Sequence, residues 1–219
     1  GLNQPFGLYT ARLTAVPDSG APAPRPAFFT FQLGSYLPPF ADDEGSPHEA
    51  DIGTIFDLGI TTGCAGELFC PQGNLERWQM ALFLTRLQTA AGFPLPPPVD
   101  SGFGDLDGYS AESRIAIGQL AELGITTGVG EGRFDPAGVV SRWQMALFMT
   151  RQLTSMGLTL PDGAAQGFTD LGELPAPTQT AINQMAQMGI ARGTGEGFYA
   201  PADAVTRARA WTEMAGKTV

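Results

Sequence analysis

Gly124-Ile125-Thr126-Thr127-Gly128, followed by Phe134-Asp135-Pro136 and then Val140-Ser141-Arg142-Trp143-Gln144-Met145, reads as a helix end, a glycine-bounded loop and a second helix start. The pattern recurs 65 residues upstream as Gly59-Ile60-Thr61-Thr62-Gly63, Phe69-Cys70-Pro71 and Leu75-Glu76-Arg77-Trp78-Gln79-Met80. It recurs 65 residues downstream as Gly189-Ile190-Ala191-Arg192-Gly193, Tyr199-Ala200-Pro201 and Val205-Thr206-Arg207-Ala208-Arg209-Ala210. A fixed period over this many positions marks a tandem-repeat architecture.

Within each repeat the first helix carries one apolar face. Ile52, Ile55 and Phe56 correspond to Ile117, Leu120 and Ala121, and to Ile182, Met185 and Ala186. That three-and-four spacing is the amphipathic-helix signature. Gly59, Gly124 and Gly189 stand at the C′ position, and the Ile after each supplies the apolar contact of a Schellman stop. The second helix starts near the Arg. Ser141 with Gln144 forms a capping box. Thr206 caps the third repeat, and in the first repeat Asn74 is a better cap than Glu76. Met80, Ala81, Phe83, Leu84 and Leu87 form one apolar face, nearly repeated by Met145, Ala146, Phe148, Met149 and Leu153. Three such helices, one per repeat, can share a core, with the Met residues as filler. Each repeat opens on Phe-x-Asp (Phe40/Asp42, Phe103/Asp105, Phe168/Asp170), an aromatic anchor with a polar turn or capping residue. Asp105-Leu106-Asp107-Gly108 lacks the remaining ligands of a calcium loop.

Residues 1–39 stand outside the repeat. Leu8 to Val16 and Ala27 to Leu33 are rich in Thr, Tyr, Phe and Val and read as strands, joined by a Pro/Ala/Gly/Ser connector. Two strands alone are marginal in water. They pack on the repeats or pair with something outside the chain by β-augmentation. The resulting division is 1–39 as a β-strand segment, and 40–98, 99–163 and 164–219 as the three repeats. Pro-rich Ala91 to Ser101 and softer Gly157 to Gly167 link them.

The net charge of −10 argues against duplex nucleic acid, which needs clustered Lys and Arg. All the basic residues except Lys217 are Arg, whose planar fork suits carboxylates and phosphates. No apolar run approaches the roughly 20 residues of a membrane span. The chain opens at Gly1 with neither Met nor a leader, which fits a removed signal peptide or a fragment.

Cys64 and Cys70 both lie in the first repeat's loop. A loop-closing disulfide is the favoured reading and places the chain in an oxidising, extracellular setting. A redox pair lacks CxxC spacing and a nearby His, and metal binding by two Cys and distant His48 is a poor fit.

These motifs together resemble the S-layer homology (SLH) domain family, with three tandem repeats over about 40–219. The middle repeat carries nearly the whole pattern: Phe103, Asp105, Gly124 to Gly128, Phe134-Asp135-Pro136 and Ser141-Arg142. The resemblance implies a mainly α fold, a pseudo-threefold, three-pronged SLH trimer with a central three-helix bundle, preceded here by the short β-strand segment. It implies inter-repeat grooves that bind secondary cell-wall polysaccharide, often through pyruvylated, negatively charged sugars. The motif Arg carries over to Arg77, Arg142 and Arg207. Trp78 and Trp143 are candidates for stacking on a sugar, with the loop glycines Gly63, Gly128 and Gly193 beside them. An Arg in the first turn of a helix lies near free N–H groups and the positive dipole end, which favours an anion. Two readings stand for each Arg: a glycan contact, or a bridge between repeats through Asp or Glu. Each Trp has packing as its alternative. The sequence departs from the family pattern at Gln79, Gln144 and Arg209, where the family has Glu, and at Ala191, Arg192 and Ala208. The third site is therefore the weakest.

The expectation is a non-enzymatic module at the cell surface or cell wall that anchors through an anionic polysaccharide, with no cofactor, metal, nucleic acid or membrane span. The alternative is a structural subunit of an extracellular array or filament, self-assembling through the repeats and through residues 1–39 shared between copies. A single His and no Ser-His-Asp set leave little to build an enzyme from.

Overall fold

The computed structural model describes residues 7–13, 27–33 and 40–214, with side chains from 40 to 210. Residues 1–38 and 39–219 form two separate units. In the first, β1 (Gly7–Leu13) pairs antiparallel with β2 (Ala27–Leu33), Gly7 opposite Leu33 and Leu13 opposite Ala27. Of the expected first strand, Leu8 to Val16, the part up to Leu13 is strand, and 14–16 lie outside the described residues.

The second unit is helical: α1 (Glu49–Asp57), α2 (Arg77–Ala90), α3 (Ala111–Glu122), α4 (Arg142–Ser155), α5 (Ala176–Gln187) and α6 (Arg207–Met214). The first helix of each repeat stops as the glycine dictates. Ile60, Ile125 and Ile190 donate N–H to Ile55, Leu120 and Met185 carbonyls at 2.9 Å, and Gly59, Gly124 and Gly189 reach Phe56, Ala121 and Ala186. This is the complete double bond of the Schellman motif. The buried face is the predicted one at Ile52, Ile55, Ile117, Leu120, Ile182 and Met185. Phe56 departs from it. It is 42% exposed and meets Phe40 edge-on at 5.4 Å from the outer side.

The Phe-x-Asp motif has one job in all three repeats. Asp42, Asp105 and Asp170 each accept two consecutive backbone N–H groups, from Phe69/Cys70, Phe134/Asp135 and Tyr199/Ala200, at 2.7–2.9 Å. The second residue of each pair is left-handed, with φ of 59°, 57° and 57° at Cys70, Asp135 and Ala200. The carboxylate fork stabilises a backbone turn that a non-glycine residue adopts only at a cost. Burial works against the Asp105 charge, but the Phe134 and Asp135 N–H groups outweigh it and hold its carboxyl below the usual range.

The repeats close on one another through backbone. Val140 N–H donates to Leu75 carbonyl (2.8 Å), Val205 N–H to Val140 (2.9 Å), and Leu75 N–H to Val205 (2.8 Å). These three residues are fully buried. A sequence repeat has thus become a closed ring, the third unit bonding back to the first. Residue Asn74 is held in it by a bridge to Thr206, so it is not the helix cap. Glu76 is the cap of α2, and its N–H donates to Gln79 Oε1 at 3.1 Å, as Ser141 N–H does to Gln144 Oε1 at 2.9 Å. Thr206 Oγ1 accepts from Arg209 N–H at 3.2 Å, as expected.

Helix packing follows the same cycle. The close pairs are α2 with α3, α4 with α5, and α6 with α1, so each Arg-led helix lies along the first helix of the next repeat. The Arg-led helices meet one another through side chains, including a hydrogen bond from Gln152 Nε2 to Gln88 Oε1. The linkers are pinned by amides. Gln88, Gln119 and Gln184 donate to the carbonyls of Pro94, Pro96 and Pro161 at 2.7–2.8 Å.

Candidate functional site

Arg77, Arg142 and Arg207 begin α2, α4 and α6, and all three are buried, at 4%, 0% and 3% exposure. Each spans to the next repeat. Their Nε atoms donate to the carbonyls of Phe134 (2.7 Å), Tyr199 (2.8 Å) and Phe69 (2.9 Å). Each guanidinium lies over the ring of that same residue, at 4.6, 4.3 and 4.9 Å from the centroid. Each Arg thus bridges to the next repeat, its Nε bonding a backbone carbonyl and its guanidinium lying over a ring face. The helix N-termini are equally committed. Arg77 and Trp78 N–H donate to Gly138 and Pro136 carbonyls, and the same pairing holds at Arg142/Trp143 and Arg207/Ala208. The free N–H groups expected to draw an anion are taken up by the next repeat.

This bonding does not use each guanidinium fully. Arg77 Nη2 and Arg207 Nη2 are buried with no hydrogen-bond partner. A buried donor without an acceptor costs about 1–3 kcal/mol, more for a charged one. Burial accordingly pushes the Arg77 and Arg207 guanidinium pKa values down, partly offset by Asp135 and Asp105 for Arg77 and by Asp42 and Glu76 for Arg207.

Arg77 lines a cavity of about 340 Å³ between the first two repeats, with Thr126, Thr127, Gly128, Trp143 and Arg151 among its walls. The fold thus brings together Arg77, Gly128 and Trp143, three of the expected site residues. Arg142 and Gly193 belong to the second-to-third junction, where Ala208 takes the place of Trp. Arg207, Gly63 and Trp78 belong to the third-to-first. Trp78 is half-buried, donates Nε1–H to Glu76 Oε2, and lies 6.1 Å from the Tyr109 ring.

The glycines have a packing role of their own. A Cβ on Gly63, Gly128 or Gly193 would lie 2.3–2.6 Å from the carbonyl of Leu68, Arg133 or Phe198, and against the ring of Phe40, Phe103 or Phe168. They admit the Phe-x-Asp ring beneath the loop. Thr126 and Arg151 were not singled out from the sequence, although the period marks them. Thr126 Oγ1 accepts from Gly128 N–H at 3.2 Å, as Thr61 does from Gly63. Arg151 Nη1 donates to Ile125 carbonyl at 3.1 Å, as Arg86 does to Ile60 at 3.2 Å. Cys64 and Cys70 form a disulfide in the first repeat's loop. Among the described residues no group of His, Cys, Asp and Glu could hold a metal ion. No helix among them is long and apolar enough to cross a membrane.

Residues 102–146 and 167–208 match the family model of the S-layer homology domain. That domain is a binding and anchoring module of the cell wall and cell surface, not a catalytic one. Both matched spans run from the Phe-x-Asp entry to just past the buried Arg. These two stretches of the chain are thus similar to the S-layer homology domain. A comparison with curated proteins returned no match.

Proposed function

We propose that the chain is a non-enzymatic, extracellular anchoring module that binds an anionic secondary cell-wall polysaccharide in the grooves between its repeats. The observation that carries this reading is the cavity beside Arg77, where a buried guanidinium with an unused Nη2 meets an indole and a loop of small residues. An acidic sugar suits both features, its carboxylate meeting the guanidinium and its ring face meeting Trp143. Residues 40–98 act as a third repeat. They carry the same glycine stop, carboxylate fork and Arg bridge, and supply Leu75 to the ring. On this reading Arg77, Arg142 and Arg207 assemble the grooves as much as they line them, with Trp78, Trp143, Gly63, Gly128 and Gly193 around them.

The test is cosedimentation with purified wall sacculi. The folded chain should be retained and should be released by a pyruvylated or uronic sugar in competition. Absence of retention overturns the reading. Because the three Arg residues hold the repeats together, Trp143→Ala is a better groove variant than Arg77→Ala. Weakened retention is expected from protein that is still folded at the assay temperature, although losing the packed indole lowers its melting temperature.

A second role rests on β1 and β2. They form a two-stranded sheet with no third strand among the described residues, and such a hairpin is marginal alone. Strand addition from a second copy would complete it. Deleting residues 1–35 should then abolish self-association in sedimentation velocity while the repeats stay folded, and unchanged association would refute that role.

A further inference from the structure

The three junctions share the Arg-to-carbonyl bond and the stacked ring, and they differ at the outer amino group. Arg77 Nη2 and Arg207 Nη2 have no acceptor, whereas Arg142 Nη2 donates to the Arg192 carbonyl at 2.6 Å. The loops that face these guanidiniums differ in the same way, at one hydroxyl. In the first two repeats Thr61 and Thr126 accept the N–H of Gly63 and Gly128, and both glycines are left-handed, with φ of 88° and 74°. The third repeat has Ala191, which has no hydroxyl to offer. Gly193 there is outside the left-handed region, and the carbonyl just before it bonds Arg142. The sequence departs at the same junction in two further places. Ala208 stands where the others have Trp78 and Trp143, and Glu213 stands where they have Phe83 and Phe148. Those two phenylalanines add a second ring, 5.4 Å from the Arg207 guanidinium and 5.5 Å from that of Arg77.

We infer that the chain offers two grooves to an acidic sugar, one at Arg77 with Trp143 and one at Arg207 with Trp78, while the chain's own backbone fills the third. The cavity at Arg77 pairs a donor short of an acceptor with the Trp143 indole. Arg207 has the same unpartnered donor, with Trp78 at the position equivalent to Trp143, whereas the Arg142 junction has Ala208 at that position and a backbone acceptor for Nη2. This inference rests on the glycan reading above and adds the number and identity of the sites. Two grooves on one rigid ring engage a polymer bivalently, so losing either costs far more than half the retention.

The test places a carboxylate of the chain's own at each groove. Thr62 and Thr127 are exposed residues of the first and second loops, and Thr127 lines the Arg77 cavity. Thr62→Glu, Thr127→Glu, the double variant and Arg192→Glu are compared with wild type for binding to wall sacculi of the source cell, after thermal melts confirm folding. Each single Glu at a Thr should weaken apparent affinity at least tenfold, the double should fall to background, and Arg192→Glu should bind as wild type. A Thr variant that binds like wild type, or loss of binding in Arg192→Glu, overturns the two-site assignment while leaving glycan binding intact. Failure of the wild type to bind refutes the glycan reading itself.

Discussion

Leu75 N–H donates to the Val205 carbonyl at 2.8 Å, tying the first repeat to the last across the whole helical unit. With Val140 this bond completes a ring in which each repeat donates to one neighbour and accepts from the other. The Arg bridges run in the opposite sense to that bond: Arg77 reaches the second repeat, Arg142 the third and Arg207 the first. A linear repeat array has ends. Here the ends meet, and no repeat is terminal.

The ring predicts that a two-repeat fragment fails. Cutting the chain after residue 163 removes Val205 and Arg207, exposes Leu75, and leaves the Phe69, Pro71 and Gly73 carbonyls without their donors. Each buried group left unpaired costs about 1–3 kcal/mol, against a total stability of only about 5–15 kcal/mol. Residues 40–219 should therefore melt in one cooperative transition and 40–163 in none, as followed by circular dichroism. A sharp transition in the shorter fragment would show that the ring closure is dispensable.

Asp43 occupies a place built for leucine. Its counterparts are Leu106 and Leu171, all three are buried, and neither Asp43 carboxylate oxygen has a hydrogen-bond partner. Burial, and then the nearby Glu49 charge, push its pKa up from 3.8. An acid with a raised folded-state pKa favours folding most at low pH. Its contribution falls as pH rises from the unfolded value through the folded one, and then stays low. Asp43→Leu should stabilise the protein at neutral pH by about 1–3 kcal/mol, and Asp43→Asn should flatten the pH dependence without adding volume. Denaturant titrations between pH 3 and 8 decide this; a lower midpoint for Asp43→Leu at pH 7 would refute it.

Gly118 reverses an ordinary rule. Glycine inside a helix is less stable than alanine by about 1 kcal/mol, so Gly→Ala usually helps. Here a Cβ would lie 2.1 Å from the Val99 carbonyl oxygen, because the proline linker crosses α3 at that point, held by Gln119 on Pro96. The clash is with backbone and cannot be relieved by a rotamer change. Gly118→Ala should destabilise by about 1–3 kcal/mol, and a raised melting temperature would show that the linker is free to lift away.

The sequence made the repeat, its helix stops and the N-cap at Ser141 legible because those features are local and are repeated. Gly124 announces its own helix end, and Ile125 its contact. The closure of the ring was not legible, because Leu75 and Val205 carry no sign of pairing beyond being apolar. Nor was the burial of Arg142, since an Arg at a helix start reads as exposed until the Tyr199 ring and carbonyl are seen over it. The linker's course across Gly118 depends on tertiary contact alone. At the candidate site the period had already linked Arg77, Arg142 and Arg207, but it could not show that Arg77 faces Trp143 of the next repeat and not Trp78 beside it in the chain.

The Cys64–Cys70 disulfide closes a loop that the other two repeats hold without one. Their equivalents are Val129 with Asp135 and Thr194 with Ala200. The loop carries Phe69, whose carbonyl accepts from Arg207 Nε, and Cys70, whose left-handed backbone is held by Asp42. Closing so short a loop stabilises by about 2 kcal/mol through the unfolded chain. The Asp42 fork remains when the bond is cut, so the turn should loosen without unfolding the ring. Replacing both cysteines by serine should lower stability by about that amount. It should speed amide exchange at Phe69 and Cys70 more than at Phe134 and Asp135, which have the same fork and no disulfide. Equal acceleration in both repeats would mean that the disulfide stabilises the whole ring and not its own loop.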